Sequence, residues 1–165
     1  FKESNTKCAE CADGHISAAG VDACTACNSG TSANDAHTEC ENCAKGFFSA
    51  SGAQNCEHCA PGHVSPEGAP ACTPCATGTY GPGENGKGWS SADDLSQCKD
   101  CVAGKFSGTA GQIMCEKCAR GKMSGAAAPT CLDCDEGYVA IYEGTVSGEG
   151  RVDGERIMAL CSSHP

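Results

Sequence analysis

The sequence predicts a small disulfide-rich fold, mostly irregular and β with almost no helix, an elongated rod of tandem cysteine-rich modules of about 16 residues. Three observations predict it. First, Cys-x-x-Cys begins at Cys8, Cys24, Cys40, Cys56 and Cys72 in steps of 16 residues, then resumes at Cys98, Cys115 and Cys131, with a lone Cys161 closing the series. Second, a glycine stands three residues after the second cysteine of all eight pairs: Gly14, Gly30, Gly46, Gly62, Gly78, Gly104, Gly121 and Gly137. Third, Leu, Ile, Val and Phe together number only 17 of 165 residues, against 17 cysteines. So few large apolar side chains cannot offset chain entropy by burial, and cross-links must do so by restricting the unfolded chain.

Residues 1–7 form an N-terminal extension, and residues 8–134 carry the repeats. Within a repeat the glycine provides a sharp turn or a close backbone approach, because it accepts positive φ without steric penalty. Two residues later come Ile16, Ser32, Phe48, Val64, Tyr80, Phe106, Met123 and Val139, read as one apolar plug per module covering a disulfide. Ser32 is the exception, which marks the second module as the softest. Ser, Ala, Gly, Pro and Asn fill the remainder, favouring turns and short strand pairs over helix. Each module is expected to touch only its neighbours in the array.

Residues 80–97 hold the one long insertion, with Trp89 among glycines as a surface-loop residue and a candidate partner contact. SADDLSQ inside it has the composition of a single helical turn capped by Ser91. Residues 135–165 are richer in β-branched side chains and predict a β-hairpin-like cap, with Asp153-Gly154 as the turn between GRV and ERIM. Terminal units of repeat arrays are commonly atypical in this way.

The cysteines admit three chemistries. A thioredoxin-like redox pair needs a βαβ setting that this helix-poor chain lacks. Haem attachment needs His directly after the second cysteine, and none stands there. Structural zinc is the real competitor, because C-x2-C-x12-C-x2-C is close to four-thiolate spacing. Disulfides are favoured, joining the second cysteine of each pair to the first of the next: Cys11–Cys24, Cys27–Cys40, Cys43–Cys56, Cys59–Cys72, Cys75–Cys98, Cys101–Cys115, Cys118–Cys131 and Cys134–Cys161. All variation in length then falls inside closed loops. This scheme leaves Cys8 as the odd cysteine, with an upstream or intermolecular partner, whereas a laddered scheme (Cys8–Cys24, Cys11–Cys27) leaves Cys161 over. Disulfides of this density belong to an extracellular or cell-surface setting. The opening at Phe1 reads as a processed chain or an excised part of a longer one.

Net charge is −10, which disfavours nucleic acid and anionic membrane surfaces, and no apolar run is long enough for a membrane span. Charge is uneven: residues 1–97 carry 12 acidic and 4 basic side chains, 98–134 carry 3 and 5, and 135–165 carry 6 and 2. The basic cluster Lys99, Lys105, Lys117, Arg120 and Lys122 is a candidate contact for the acidic part of another copy. No catalytic arrangement is visible. His15, His37, His58, His63 and His164 are scattered as surface residues. Asp93-Asp94 with Glu84, and Asp133 with Asp135-Glu136, match no known calcium loop. GPGENGKG lacks the strand and helix that a phosphate loop requires. Ser17, Ser49, Ser65, Ser107 and Ser124 recur on one face of the repeat and are candidate O-linked glycan sites.

The pattern C-x-x-C-A-x-G-x-Φ-S…C-x-x-C resembles the ephrin-receptor-like cysteine-rich repeats, which are similar to tumour-necrosis-factor-receptor modules and also occur in tandem in protist surface proteins such as ciliate immobilisation antigens. The resemblance is strong over residues 8–134 and weak over 135–161. Ala12, Ala44, Ala60, Ala76 and Ala119 stand where the family often has proline, and no ligand-binding or kinase region accompanies the repeats. The resemblance implies extracellular, disulfide-linked, rod-like modules. It is compatible with receptors, adhesins and coat proteins alike. The expected function is a non-enzymatic, cofactor-free structural subunit of a surface coat or self-assembling fibre, joined end to end. The alternative is a receptor or adhesin fragment binding a ligand through the Trp89 loop, and a zinc-binding protein ranks behind both.

Overall fold

The computed structural model describes residues 9–83, 94–136, 138–143 and 158–163, the last two segments as backbone strands only. Among the described residues there is no helix, and the regular structure consists of short antiparallel strand pairs in tandem. Seven disulfides close seven successive loops: Cys11–Cys24, Cys27–Cys40, Cys43–Cys56, Cys59–Cys72, Cys75–Cys98, Cys101–Cys115 and Cys118–Cys131. Five of the seven have a sequence separation of 13, the fifth loop has 23 and the sixth 14.

One local design builds every loop. After the loop's first cysteine comes a four-residue turn with its glycine third, as in Ala60-Pro61-Gly62-His63. The His63 amide donates to the Ala60 carbonyl at 3.0 Å, and Gly62 has φ +75°. This is a type II turn, in which proline suits the second position and glycine the third. Equivalent bonds run from His15 to Ala12, Phe47 to Ala44, Thr79 to Ala76 and Lys122 to Ala119. A strand of two residues, three in the second loop, follows the turn and pairs with the dipeptide between the next two cysteines. His15–Ile16 pairs with Thr25–Ala26, Phe47–Phe48 with Glu57–His58, and Lys105–Phe106 with Glu116–Lys117. The next cysteine's amide then donates back to the turn glycine, as Cys43 does to Gly30 at 2.9 Å. From Thr25-Ala26 onward the x-x of Cys-x-x-Cys is therefore a strand with a fixed partner, which explains why its length never varies.

The core is made of sulfur, serine and glycine. Its buried members include Cys27, Cys43, Cys75, Cys101 and Cys118, together with Ser49, Ser65, Ser107 and Ser124. The expected apolar plugs do not form it. Of those whose side chains are described, Val64 alone is buried, while Ile16, Phe48, Tyr80, Phe106 and Met123 are half-buried. A loop of this size closes around little more than its own disulfide, so a large side chain two residues past the glycine stays at the surface. At Ser32 the hydroxyl lies 3.5 Å from Cys56 Sγ, a sulfur of the following loop.

The chain divides into two compact units, residues 1–59 with 65–72 and residues 60–64 with 73–165. Within each, contacts extend past the adjacent loop, so the expectation of purely nearest-neighbour packing is corrected. In the first unit a Cβ added to Gly14 would lie 2.2 Å from the Gly52 carbonyl oxygen, and one on Gly30 would lie 2.0 Å from that of Gly68. In the second unit Gly62 meets Gly111 at 1.8 Å and Gly78 meets Ala127 at 2.1 Å on the same measure. Each glycine seats the tip of the loop two places on. The physical reason is size: with only a hydrogen at the seat, the tip of a small-residue loop reaches the backbone itself.

At the C-terminal side of the second unit, Tyr138–Glu143 pairs antiparallel with Met158–Ser163, from Tyr138 opposite Ser163 to Glu143 opposite Met158. Of the expected GRV and ERIM segments only Met158 lies within the described residues, and it stands opposite Glu143. The β-branched Val139 and Ile141 suit the strand they form. The Asp153-Gly154 turn lies outside the described residues.

Candidate interaction surface

The repeated serines show how adjacent loops hold together. In the first unit the Gly30 amide donates to the Ser49 carbonyl at 2.8 Å, and the Ser49 hydroxyl donates to the Thr31 carbonyl at 2.9 Å. The same two-bond clasp joins Gly46 and Phe47 to Ser65, at 3.0 and 2.8 Å. In the second unit it joins Gly104 and Lys105 to Ser124, also at 3.0 and 2.8 Å. A second tie runs from loop tip to cysteine: the Gly52, Gly68, Gly111 and Ala127 amides donate to the Cys27, Cys43, Cys75 and Cys101 carbonyls, each at 2.8 Å. Where the fifth loop has Gly81 in place of serine, the backbone carries the contact one residue further, and Gly62 donates to Pro82 at 2.7 Å.

These serines were invisible as structural residues in the sequence, where a recurrent Ser reads as surface. Four of the five candidate glycan positions, Ser49, Ser65, Ser107 and Ser124, are at most 4% exposed. Their hydroxyls donate within the fold. Ser65→Ala should destabilise the fold by about 1–2 kcal/mol, because it strips the Phe47 carbonyl of a buried donor. Thermal unfolding with the disulfides intact checks this, and an unchanged midpoint would refute it.

Fourteen of the sixteen cysteines assigned to disulfides lie in the seven bonds above, so they offer no thiolate to zinc. Cys134 is also disulfide-bonded. Cys161 is described as a strand residue opposite Ala140, and its side chain, like Cys8, lies outside the described residues. Trp89, Ser91, Glu84, Asp93 and His164 lie outside them too. Of the remaining candidates, Asp94 Oδ1 accepts from the Ser96 amide at 3.0 Å and its hydroxyl at 2.6 Å, heading a short turn. Asp133 is bridged to Lys122 at 2.6 Å. Among the described residues no three His, Cys, Asp or Glu side chains are grouped to hold a metal ion.

The described histidines make local contacts. His15 and His63 donate Nδ1–H to the Asp13 and Pro61 carbonyls at 2.9 Å. The His58 ring lies on Phe47 with centroids 3.9 Å apart. His37, at φ +54°, ties the second loop to the first through its ring and the His15 carbonyl (3.1 Å) and through its own carbonyl and the Ser17 amide (3.0 Å).

The exposed surface is more distinctive than the interior. Large apolar side chains stand out at Val102, Ile113 and Met114 of the sixth loop, at Leu132, and at Val21 of the first. Beside the sixth loop lies an open groove of about 220 Å³ lined by Tyr80, Asp100, Val102, Lys105, Met114 and Cys115. Lys105 and Lys117 stand directly opposite one another on paired strands, a like-charge pair that is unfavourable unless something answers it.

Fold and bonding define a tandem cysteine-rich repeat protein. A chain so heavily disulfide-bonded suggests an extracellular or secreted protein, since such bonds persist in oxidising surroundings. Among the described residues no helix is long and apolar enough to cross a membrane. No family model matches the chain, and no curated protein matches it.

Proposed function

We propose that this chain is an extracellular structural protein, a subunit of a cell-surface coat or self-assembling fibre, without enzymatic activity. The observation that carries the reading is where the repeated residues go. Among the described residues, cysteine sulfur, turn glycine and the recurrent serine hydroxyls close loops and clasp one loop to the next. What varies from loop to loop is the outer face, which is acidic over residues 9–72 and basic over 98–134. A chain bearing two unlike surfaces associates heterologously, and such contacts continue from copy to copy unless rotation closes them into a ring. The odd cysteine, Cys8, adds a means of making the association covalent.

Analytical sedimentation of the oxidised chain over a wide concentration range tests this. The expected result is average mass rising with concentration and falling with added salt, as screening of opposed charges requires. A chain that stays monomeric throughout refutes the reading.

A further inference from the structure

We propose that the groove beside the sixth loop is the receiving half of a self-association contact, and that its occupant is the tip of the first loop of a second copy, Val21-Asp22. The inference rests on the self-association reading above and assigns it a site. On the receiving side, Val102, Ile113 and Met114 are 57%, 45% and 64% exposed, a concentration of bare apolar surface found in no other loop among the described residues. Lys105 lines the groove beside Val102 and Met114, and neither it nor its cross-strand neighbour Lys117 has an ion-pair partner among the described residues. Asp100 on the groove wall is the one acid among the lining residues.

On the entering side, Val21 is 55% exposed and is the only large apolar side chain so exposed in the first unit among the described residues. It follows Gly20 (φ +80°), around which nothing lies within 4 Å of an added Cβ, so the tip stands clear of its own chain. Asp22 comes directly after it and is exposed. Residues 9–72 around this tip carry eight acidic side chains and one basic. An aliphatic residue followed by a carboxylate thus faces a groove that offers Val102 and Met114 to the first and the Lys105 ammonium to the second. Val21 fills the groove against Val102 and Met114, and Asp22 takes Lys105. Both halves are on every copy, so the contact is heterologous and repeats.

A charge swap tests it, with wild type, Asp22→Lys and Lys105→Glu each examined by sedimentation. Each substitution puts like charges face to face, and each should raise the concentration for half-assembly at least about tenfold. An equimolar mixture of the two variants should return to the wild-type value. Where the altered tip of one variant enters the altered groove of the other, the two introduced charges are opposite, while the reverse contact is native. Met114→Asp should weaken assembly likewise, which gives a reading independent of the charge pair. Assembly indifferent to all three substitutions, or a mixture as weak as its components, overturns this contact alone. A wild-type chain that never assembles overturns the self-association reading and this contact together.

Discussion

Full reduction in the absence of denaturant is expected to unfold the whole chain. The described core contains Val64 and otherwise only sulfur, serine and small residues, and most strands are two residues long. An isolated two-stranded pair is at best marginal in water even with a good apolar face. Each loop closure restricts the unfolded chain by about 3 kcal/mol for a loop of this length, so seven together contribute about 20 kcal/mol. That exceeds the roughly 5–15 kcal/mol by which folded domains are ordinarily stable, so nothing sufficient remains once the bonds are broken. Amide exchange in excess reductant should show the cysteine amides, such as Cys43 bonded to the Gly30 carbonyl, exchanging at random-coil rates. Slow exchange at those amides in the reduced chain would show that a non-covalent core had been overlooked.

What could be read from the sequence was whatever is local. Cys-x-x-Cys, the glycine three residues on and the small polar filler each act within a few residues. They led to the disulfide-rich, tandem, mostly irregular and β architecture with almost no helix. What could not be read was whatever joins loops through the backbone. The seating of Gly68 on Gly30 involves a glycine hydrogen and a carbonyl 38 positions apart, and no side-chain pattern reports it. The buried serines were missed for a related reason: a hydroxyl that satisfies one carbonyl has the same composition as one facing water. In the opposite direction, Phe48 and Phe106 looked like core because they are large, yet a loop closed after 13 or 14 residues has little interior to give them. The candidate surface was legible in part. The basic cluster at Lys99–Lys122 was visible as charge, but its alignment beside Val102 and Met114 needed the strand register to place Lys105 opposite Lys117.

Two alanine substitutions at equivalent positions should separate the glycine's two roles. Gly30 and Gly121 occupy the same place in their loops and have nearly the same backbone, φ +84° and +80°. Left-handed φ costs a non-glycine residue about 1–2 kcal/mol, and Gly121→Ala should cost only that, since nothing lies within 4 Å of its added Cβ. Gly30→Ala carries the same strain and a collision besides. Its Cβ would stand 2.0 Å from the Gly68 oxygen and 2.7 Å from the Gly68 carbon, both backbone atoms that no rotamer change can move. The loop tip has to retreat, and the bond from the Gly68 amide to the Cys43 carbonyl, 2.8 Å long, goes with it. The expected cost of Gly30→Ala is above about 4 kcal/mol, in the range reserved for disrupted packing. Thermal unfolding of both oxidised variants measures the difference, and amide exchange at Gly68 reports whether the tip has left its seat. Equal costs for the two substitutions would mean that the glycines are present for their turn alone. Loops two places apart would then be neighbours without holding one another.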